Sequence, residues 1–106
     1  MKARYVQKGN LIDYTPTSAV AAGDVVILGT LCGIANLDIP ANTLGALALT
    51  GVFEIVKATG AITVGAKVYW DNSAKNVTTT ASSNTAIGVA FAEAGSSDAT
   101  VLVRIN

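Results

Sequence analysis

The sequence predicts an all-β fold, a small single-domain β-barrel or sandwich of about nine short strands with at most one short helix. Strand-forming residues are abundant, with 12 Val, 12 Thr and 8 Ile among 106 residues. Apolar residues often recur at every second position, as in half-buried strands of an antiparallel sheet. The ten glycines fall at intervals suited to turns. Because a chain of this length builds one core, residues 1–106 are interpreted as a single domain.

Each strand is placed where an apolar run lies between turn signals. Glycine, asparagine, aspartate, proline and serine cluster at 9–10, 23–24, 38–40, 57–60, 71–74 and 95–98. Strands are therefore expected at 3–8, 10–15, 25–29, 32–36, 44–50, 52–57, 67–71, 76–80, 86–93 and 99–105, one of them irregular. A short helix or helical turn is expected near Pro40 or Ala58.

The alternation within the strands predicts the core. In the segment 67–71, Val68 and Trp70 share one face, while Lys67, Tyr69 and Asp71 share the other. We therefore place Val68 and Trp70 in the core. Their expected neighbours are Phe53, Ile55, Ile87, Val89, Phe91, Val101 and Val103.

The segment 86–92 has no charged face. Its large residues are expected to point into the core, and the opposite face carries only Ala86, Gly88, Ala90 and Ala92. A strand without a charged face is covered on both sides, by a second sheet or by another subunit. These four small residues are therefore the candidates for an oligomer interface.

The residue inventory argues against an enzyme and predicts no cofactor and no metal site. Histidine is absent, which removes the usual general base and the commonest zinc ligand. Cys32 is the single cysteine, so neither an internal disulfide nor a thiolate cluster is available. The carboxylate pairs Asp71 with Asp98 and Glu54 with Glu93 are interpreted as turn and surface residues rather than as acid–base pairs.

One glycine-rich segment is similar to a phosphate-binding loop. In the segment 60–67, however, Ala66 stands where that loop needs its lysine, and Lys67 opens a predicted strand where the loop needs a helix. The segment is interpreted as a turn that leads into a strand.

Charge and hydropathy narrow the possible partners. Seven basic and seven acidic residues cancel, which argues against a nucleic-acid partner. The least polar stretch, residues 25–35, is shorter than the about 20 residues of a membrane-spanning helix, so no membrane partner is expected. No targeting signal is recognised near the first residue, so the expected product is cytoplasmic or released by lysis.

The N-terminal segment 1–8 is interpreted as an extended arm. It combines three basic residues, Lys2, Arg4 and Lys8, with Tyr5. Three interpretations stay open: a weak nucleic-acid contact, an ordinary solvated terminus, or a strand that pairs with the sheet edge of a partner.

Several segments together resemble the capsid cement, or head decoration, proteins of tailed bacteriophages, a family sometimes labelled recombinase-like. The most specific segment is Val68-Tyr69-Trp70-Asp71. Ala66 and Val56 depart from the pattern of that family, at positions that touch no functional expectation. The other segments that carry the resemblance are 5–9, 51–55, 57–58, 65–67, 77–79, 87–90 and 99–105.

The resemblance implies a non-enzymatic cement protein made in the host cytoplasm and carried on the capsid exterior. It would form homotrimers on the outside of an expanded head and bridge subunits of the major capsid protein. In related decoration proteins the N-terminal arm contacts the shell. Applied to this sequence, that gives the capsid-contact candidates Lys2, Arg4, Tyr5, Val6, Gln7 and Lys8.

Two rival functions are kept. The first is a small β-barrel that binds a host glycan or peptide with Tyr5, Tyr69 or Trp70 as its platform. The second, an enzyme such as a carboxylate-based hydrolase, is disfavoured by the inventory of side chains.

Overall fold

A computed structural model describes residues 2–105, so Met1 and Asn106 of the expected domain lie outside the described residues. The described chain is all-β, which confirms the predicted fold class. Its nine strands are β1 (Leu11–Tyr14), β2 (Val25–Leu28), β3 (Leu31–Ala35), β4 (Gly45–Ala48), β5 (Gly51–Val56), β6 (Lys67–Asp71), β7 (Asn76–Thr78), β8 (Thr85–Ala90) and β9 (Thr100–Ile105).

The strands form two antiparallel sheets that pack as a sandwich. The four-stranded sheet has the order β1-β4-β3-β2, and the five-stranded sheet has the order β5-β9-β8-β6-β7. The two sheets meet where β3 packs against β8. Cys32 and Ile34 of β3 thereby join the main core formed by the five-stranded sheet.

The five-stranded sheet curls around that core. Just after β5, Lys57 forms a parallel bridge to Val77 of β7, and Ala58 N donates to Val77 O at 2.8 Å. The two outermost strands of the sheet therefore approach each other at one end, without pairing along their lengths. Because side chains from both outer strands, Ile55 and Val77, are buried in the same core, the opposite face of the sheet is convex.

A second, smaller core lies on the other face of the four-stranded sheet. It is built from Ala35, Ile39 and Leu47. Gly33 and Gly45 make room for it. A Cβ atom at Gly33 would lie 2.8 Å from Leu47 Cβ, and one at Gly45 would lie 2.7 Å from Ile39 Cδ1. Both distances are shorter than packed carbon atoms allow.

Most of the predicted core is confirmed. Val68 is fully buried and Trp70 is 6% exposed. Phe53 is half-buried and packs against the main core. The prediction for Val89 is wrong, because this half-buried residue pairs with the exposed Lys67 and Arg104 on the other face of the sheet. The remaining predicted core residues that are buried are Ile55, Ile87, Val101 and Val103.

The prediction for Phe91 is wrong, because this residue is 55% exposed. The reason is a β-bulge in β8. Val68 pairs with Gly88, but Tyr69 pairs with Ala86, so Ile87 is an extra residue in the ladder. A bulge of one residue inverts the alternation that follows it. Beyond it the buried residue is Ala90, paired with Val103.

Two further local predictions are corrected. The expected strand at 3–8 is absent, and every residue from Lys2 to Asn10 is exposed. An extended segment becomes a strand only beside a partner, and residues 2–8 pair with none of the nine strands. No helix occurs within residues 2–105. Instead, Pro40 begins a turn in which Thr43 N donates to Pro40 O at 3.2 Å.

Candidate functional site

Three of the four carboxylates considered for acid–base chemistry accept hydrogen bonds that stabilise local structure. Asp71 Oδ1 accepts hydrogen bonds from the backbone N–H groups of Ser73 and Ala74, each at 3.0 Å. Asp98 Oδ2 accepts from Gly95 N at 2.7 Å. Glu54 Oε2 accepts from Thr100 Oγ1 at 2.9 Å. Glu93, the fourth candidate, is exposed.

Cys32 has the environment of a core residue. It is 7% exposed, and its Sγ lies 3.7 Å from Ala86 O. Desolvation by burial raises the pKa of the thiol to about 11, so the thiolate that would act as a nucleophile is scarce near neutral pH. Across residues 2–105, no group of three or more His, Cys, Asp or Glu side chains is placed to hold a metal ion.

The segment similar to a phosphate-binding loop is built as a connection between strands. Ile62 and Ala94 exchange backbone hydrogen bonds at 2.8 and 2.9 Å, and Gly65 makes a turn with φ of 83°. Strand β6 starts at Lys67. Since no helix follows Gly65, no helix N-terminus faces the place where phosphates would bind.

The three aromatic candidates do not form one platform. Trp70 is buried, and its Nε1 donates to Asn72 Oδ1 at 3.1 Å. Tyr69 is half-buried, and the ammonium nitrogen of Lys67 lies 5.8 Å from its ring centroid. Tyr5 is 78% exposed in the arm. Burial of Trp70 removes the largest ring from any ligand-binding surface.

The N-terminal arm (residues 2–8) leaves the fold beside the start of β5. Leu49 N donates to Asn10 O at 2.8 Å, and Thr50 Oγ1 contacts Asn10 Oδ1 at 3.4 Å. Beyond this anchor, Tyr5 and Val6 are 78% and 74% exposed. The arm therefore offers unpaired backbone and two apolar side chains, the chemistry of a segment that adds to a sheet edge.

The outer face of the five-stranded sheet is the side turned away from the main core. Its exposed apolar side chains are Val52 at 44%, Val56 at 57%, Phe91 at 55% and Leu102 at 39%. The cross-strand register places Arg104 between Val52 and Val89, and Val89 next to Lys67. Glu54 lies beside Leu102. Charged and apolar side chains thus alternate across this face.

The four oligomer-interface candidates occupy different environments. Ala86 is exposed and Ala92 is half-buried. Ala90 is 2% exposed and belongs to the main core. Gly88 is half-buried at the bulge, where a Cβ atom would collide with the backbone O of Arg104. The structure therefore does not bring the four residues together on one surface.

A groove of about 520 Å³ opens between β2 and β5. Its walls include the consecutive residues 23–26 on one side and 53–56 on the other, with Trp70 among its lining residues. Consecutive residues from two strands line it, so it follows strand edges rather than one sheet face. Sequence reasoning missed this groove, because it forms between segments about thirty residues apart that share no motif.

These features define a class of protein: a small β-sandwich with exposed surfaces that suit binding, in which Asp71, Asp98 and Glu54 hold local structure and the Cys32 thiol is part of the core. A family profile described as phage cement protein matches residues 6–105. The chain therefore belongs to the phage cement protein family, and the predicted resemblance is confirmed. No curated protein and no solved structure matches it.

Membership in this family assigns the chain a capsid cement or decoration role. The protein associates with a phage capsid and is a component of the virion. The family is a structural one, which implies a non-enzymatic role. In the described part of the chain, no helix has the length and apolarity needed to cross a membrane.

Proposed function

We propose that this protein binds the outer surface of an expanded phage head and stabilises it by bridging neighbouring subunits of the major capsid protein. The observation that carries the proposal is the match of the phage cement family over residues 6–105. The protein performs no reaction in this role. It is made in the host cytoplasm and becomes part of the capsid exterior.

The physical basis of cementing is burial of surface at a seam. Packaged DNA pushes the shell outward, and subunits separate only if the contacts across their seams are broken. A protein that binds both sides of a seam adds its own buried area to the work of separation. Two kinds of exposed surface, the arm and the outer face, are available for such contacts.

The arm is the proposed capsid contact, through Lys2, Arg4, Tyr5, Val6, Gln7 and Lys8. Its residues are exposed and pair with none of the nine strands, which suits addition as a strand to an edge of the capsid protein. Backbone hydrogen bonds and burial of Tyr5 and Val6 would supply most of the affinity. Arg4 and Lys8 would act as rim charges that raise the association rate.

Self-association as a homotrimer is part of the proposal. Three copies on one site would present three arms to the shell, and the low charge of the chain, with 13% charged residues, suits an assembling protein. The rival glycan- or peptide-binding function loses one of its three aromatic candidates, because Trp70 is buried.

The test uses purified expanded heads that lack the protein. Added protein should sediment with the heads to a saturating occupancy, and decorated heads should lose DNA at a higher temperature than bare heads. A density map of decorated heads should place the added mass across seams between capsid subunits. Protein that stays in the supernatant, or decoration with no gain in head stability, would contradict the proposal.

A further inference from the structure

The groove between β2 and β5 runs along two free strand edges. Consecutive residues line each wall, 23–26 on one side and 53–56 on the other, so an edge of each strand borders the groove. The other edge of β2 is paired with β3, and the other edge of β5 is paired with β9. Because β2 and β5 are the outermost strands of their sheets, the two edges that border the groove have no strand partner.

The free edge of β5 presents unpaired backbone groups. Lys57 N donates to Ala99 O at 3.0 Å, in line with the pairing of β5 with β9. Backbone groups of successive strand residues point to alternating edges. Those of Val52 and Glu54 therefore point away from β9, toward the groove. An edge of this kind is a template for one more strand.

The floor of the groove is apolar. Ile34 and Trp70 line it from the main core, where they are 4% and 6% exposed. Val25 and Phe53, one on each wall, are half-buried and pack against the same core. An apolar side chain that entered the groove would exchange water for these carbon surfaces, which favours binding.

The outer side of β5 also has apolar side chains without a cross-strand neighbour on the free edge. Val52 and Val56 are 44% and 57% exposed, and Glu54 lies between them in the strand. Residues that lie directly opposite each other on two strands stabilise the pair when both are apolar or when their charges are opposite. An added strand that matches this edge therefore has an apolar residue beside each valine and a basic residue beside Glu54.

Carboxylates stand on both walls of the groove, Asp24 on the β2 side and Glu54 on the β5 side. Each accepts one hydrogen bond within the fold, at 3.0 and 2.9 Å, and a carboxylate has the capacity for more. The third charged residue of the lining is Lys75, whose Nζ donates to Asn72 Oδ1 at 2.9 Å. The charge of the groove thus complements a strand that carries lysine or arginine.

The groove lies near the anchor of the arm. Leu49 N donates to Asn10 O at 2.8 Å, and Phe53 is the first residue of the β5 wall. At about 3.3 Å per residue, the four residues from Leu49 to Phe53 span at most about 13 Å. A capsid subunit that meets the arm is therefore within reach of the groove.

We propose that this groove binds an extended segment of the major capsid protein, which pairs as an added strand with the free edge of β5. The segment carries lysine or arginine beside Glu54 and apolar side chains toward Trp70 and beside Val52. The inference rests on the proposed function for the identity of the partner. The site itself follows from the free edges, the apolar floor and the carboxylates.

Hydrogen exchange measured by mass spectrometry tests the strand pairing on the wild-type chain. In the free protein, the amides of Val52 and Glu54 should exchange quickly, because they have no strand partner. On purified expanded heads, their exchange should slow by about tenfold or more. Slow exchange without heads would overturn the inference. If it then increases with protein concentration, the occupant is a second copy, and if it is lost on deletion of residues 1–8 at every concentration, the occupant is the chain's own arm.

Two substitutions of Glu54 separate its charge from its backbone. Glu54→Gln removes the charge and should raise the concentration for half-occupancy of heads about threefold. Glu54→Pro also removes the N–H group, which the ladder with β9 does not use, so an edge strand tolerates it. It should raise that concentration about tenfold further, because the capsid acceptor loses its donor. The matched control Glu93→Gln, at an exposed carboxylate outside the groove, should change it less than about twofold.

The outcomes distinguish this inference from the proposed function. Heads that bind the wild type without slowing exchange at β5 would overturn the groove and leave the cement function standing. Equal occupancy by Glu54→Pro and Glu93→Gln would do the same. A wild-type chain that does not bind heads would contradict the proposed function itself. If circular dichroism shows that Glu54→Pro is unfolded, the exchange measurement and Glu54→Gln decide.

Discussion

Replacing Trp70 with alanine should strongly destabilise the protein. Trp70 is 6% exposed in the main core, and it pairs with Val77 on one side and Thr85 on the other. Loss of a buried tryptophan side chain costs about 3–5 kcal/mol in free energy of unfolding. Because Trp70 also lines the groove beside β5, water can enter the vacated space. The loss should therefore fall near the lower end, about 3 kcal/mol.

Two control variants separate the contribution of the Trp70 hydrogen bond from that of the buried ring. Asn72→Ala removes the acceptor of the Trp70 Nε1 hydrogen bond, together with an exposed hydrogen bond from Lys75 Nζ, and should cost about 1 kcal/mol. Trp70→Phe removes the same bond but keeps a large apolar ring, so its cost should lie between those of the other two variants. The measurement is urea unfolding followed by far-UV circular dichroism, at one protein concentration for all variants.

The reasoning about Trp70 can be refuted in two ways. A free energy of unfolding of Trp70→Ala within about 1 kcal/mol of the wild type would mean that the side chain is not part of the core. The wild-type fluorescence provides an independent check, since Trp70 is the single tryptophan. An emission maximum like that of free tryptophan in water would show that the ring is exposed.

Two further predictions concern the bulge and the buried thiol. Gly88→Ala should lower the free energy of unfolding by about 1–3 kcal/mol, because its Cβ would collide with Arg104 O. The control Gly9→Ala, whose Cβ would have nothing within 4 Å, should change the free energy of unfolding by less than about 0.5 kcal/mol. Equal thermal stability of the two variants would contradict this prediction. Burial raises the pKa of Cys32 from 9.0 to about 11, so the folded state holds the proton more tightly and stability should fall as the pH rises from 9 to 11. In Cys32→Ala, the free energy of unfolding measured across that range should no longer show this fall. If the variant and the wild type depend on pH equally, the thiol is not the source of the dependence.

The fold class could be predicted because its signals are local. Alternation in segments such as 67–71 and 101–105 reports which face is buried, and turn residues bound each run. These signals located Val68, Trp70 and Val103 correctly. The pairing of strands is not local. Nothing in the segments of β3 and β8 indicates that these two strands bring the sheets together.

The residues on the outer face of the five-stranded sheet could be predicted only in part, because the exposure of β8 depends on one inserted residue. The sequence indicates that the segment 86–92 has no charged face and is covered on both sides. Which face points outward depends on the bulge at Ile87, which inverts the alternation and exposes Phe91 instead of Ala90. A bulge leaves no reliable mark in a single sequence beyond a glycine such as Gly88.

The proposed arm contact should tolerate the loss of one charge but not the loss of its backbone. Strand addition depends mainly on backbone hydrogen bonds, so Arg4→Ala should weaken head binding only mildly. Deletion of residues 1–8 removes the backbone itself and should abolish head binding while the proposed trimer persists. The fold should also survive this deletion, because residues 2–8 pair with none of the nine strands. A fall in melting temperature of several degrees would instead show that the arm supports the domain.

The proposed homotrimer would turn three weak arm contacts into one strong attachment. Once one arm is bound, the other two are held near their sites, and linked contacts of this kind gain about 10²–10⁴ in apparent affinity. A variant that is monomeric in solution but keeps its arm should lose this gain and occupy heads only at much higher concentration. Sedimentation with heads over a concentration series measures the shift. Occupancy by such a monomeric variant at the wild-type concentration would mean that a single arm suffices, and that trimer formation contributes nothing to attachment.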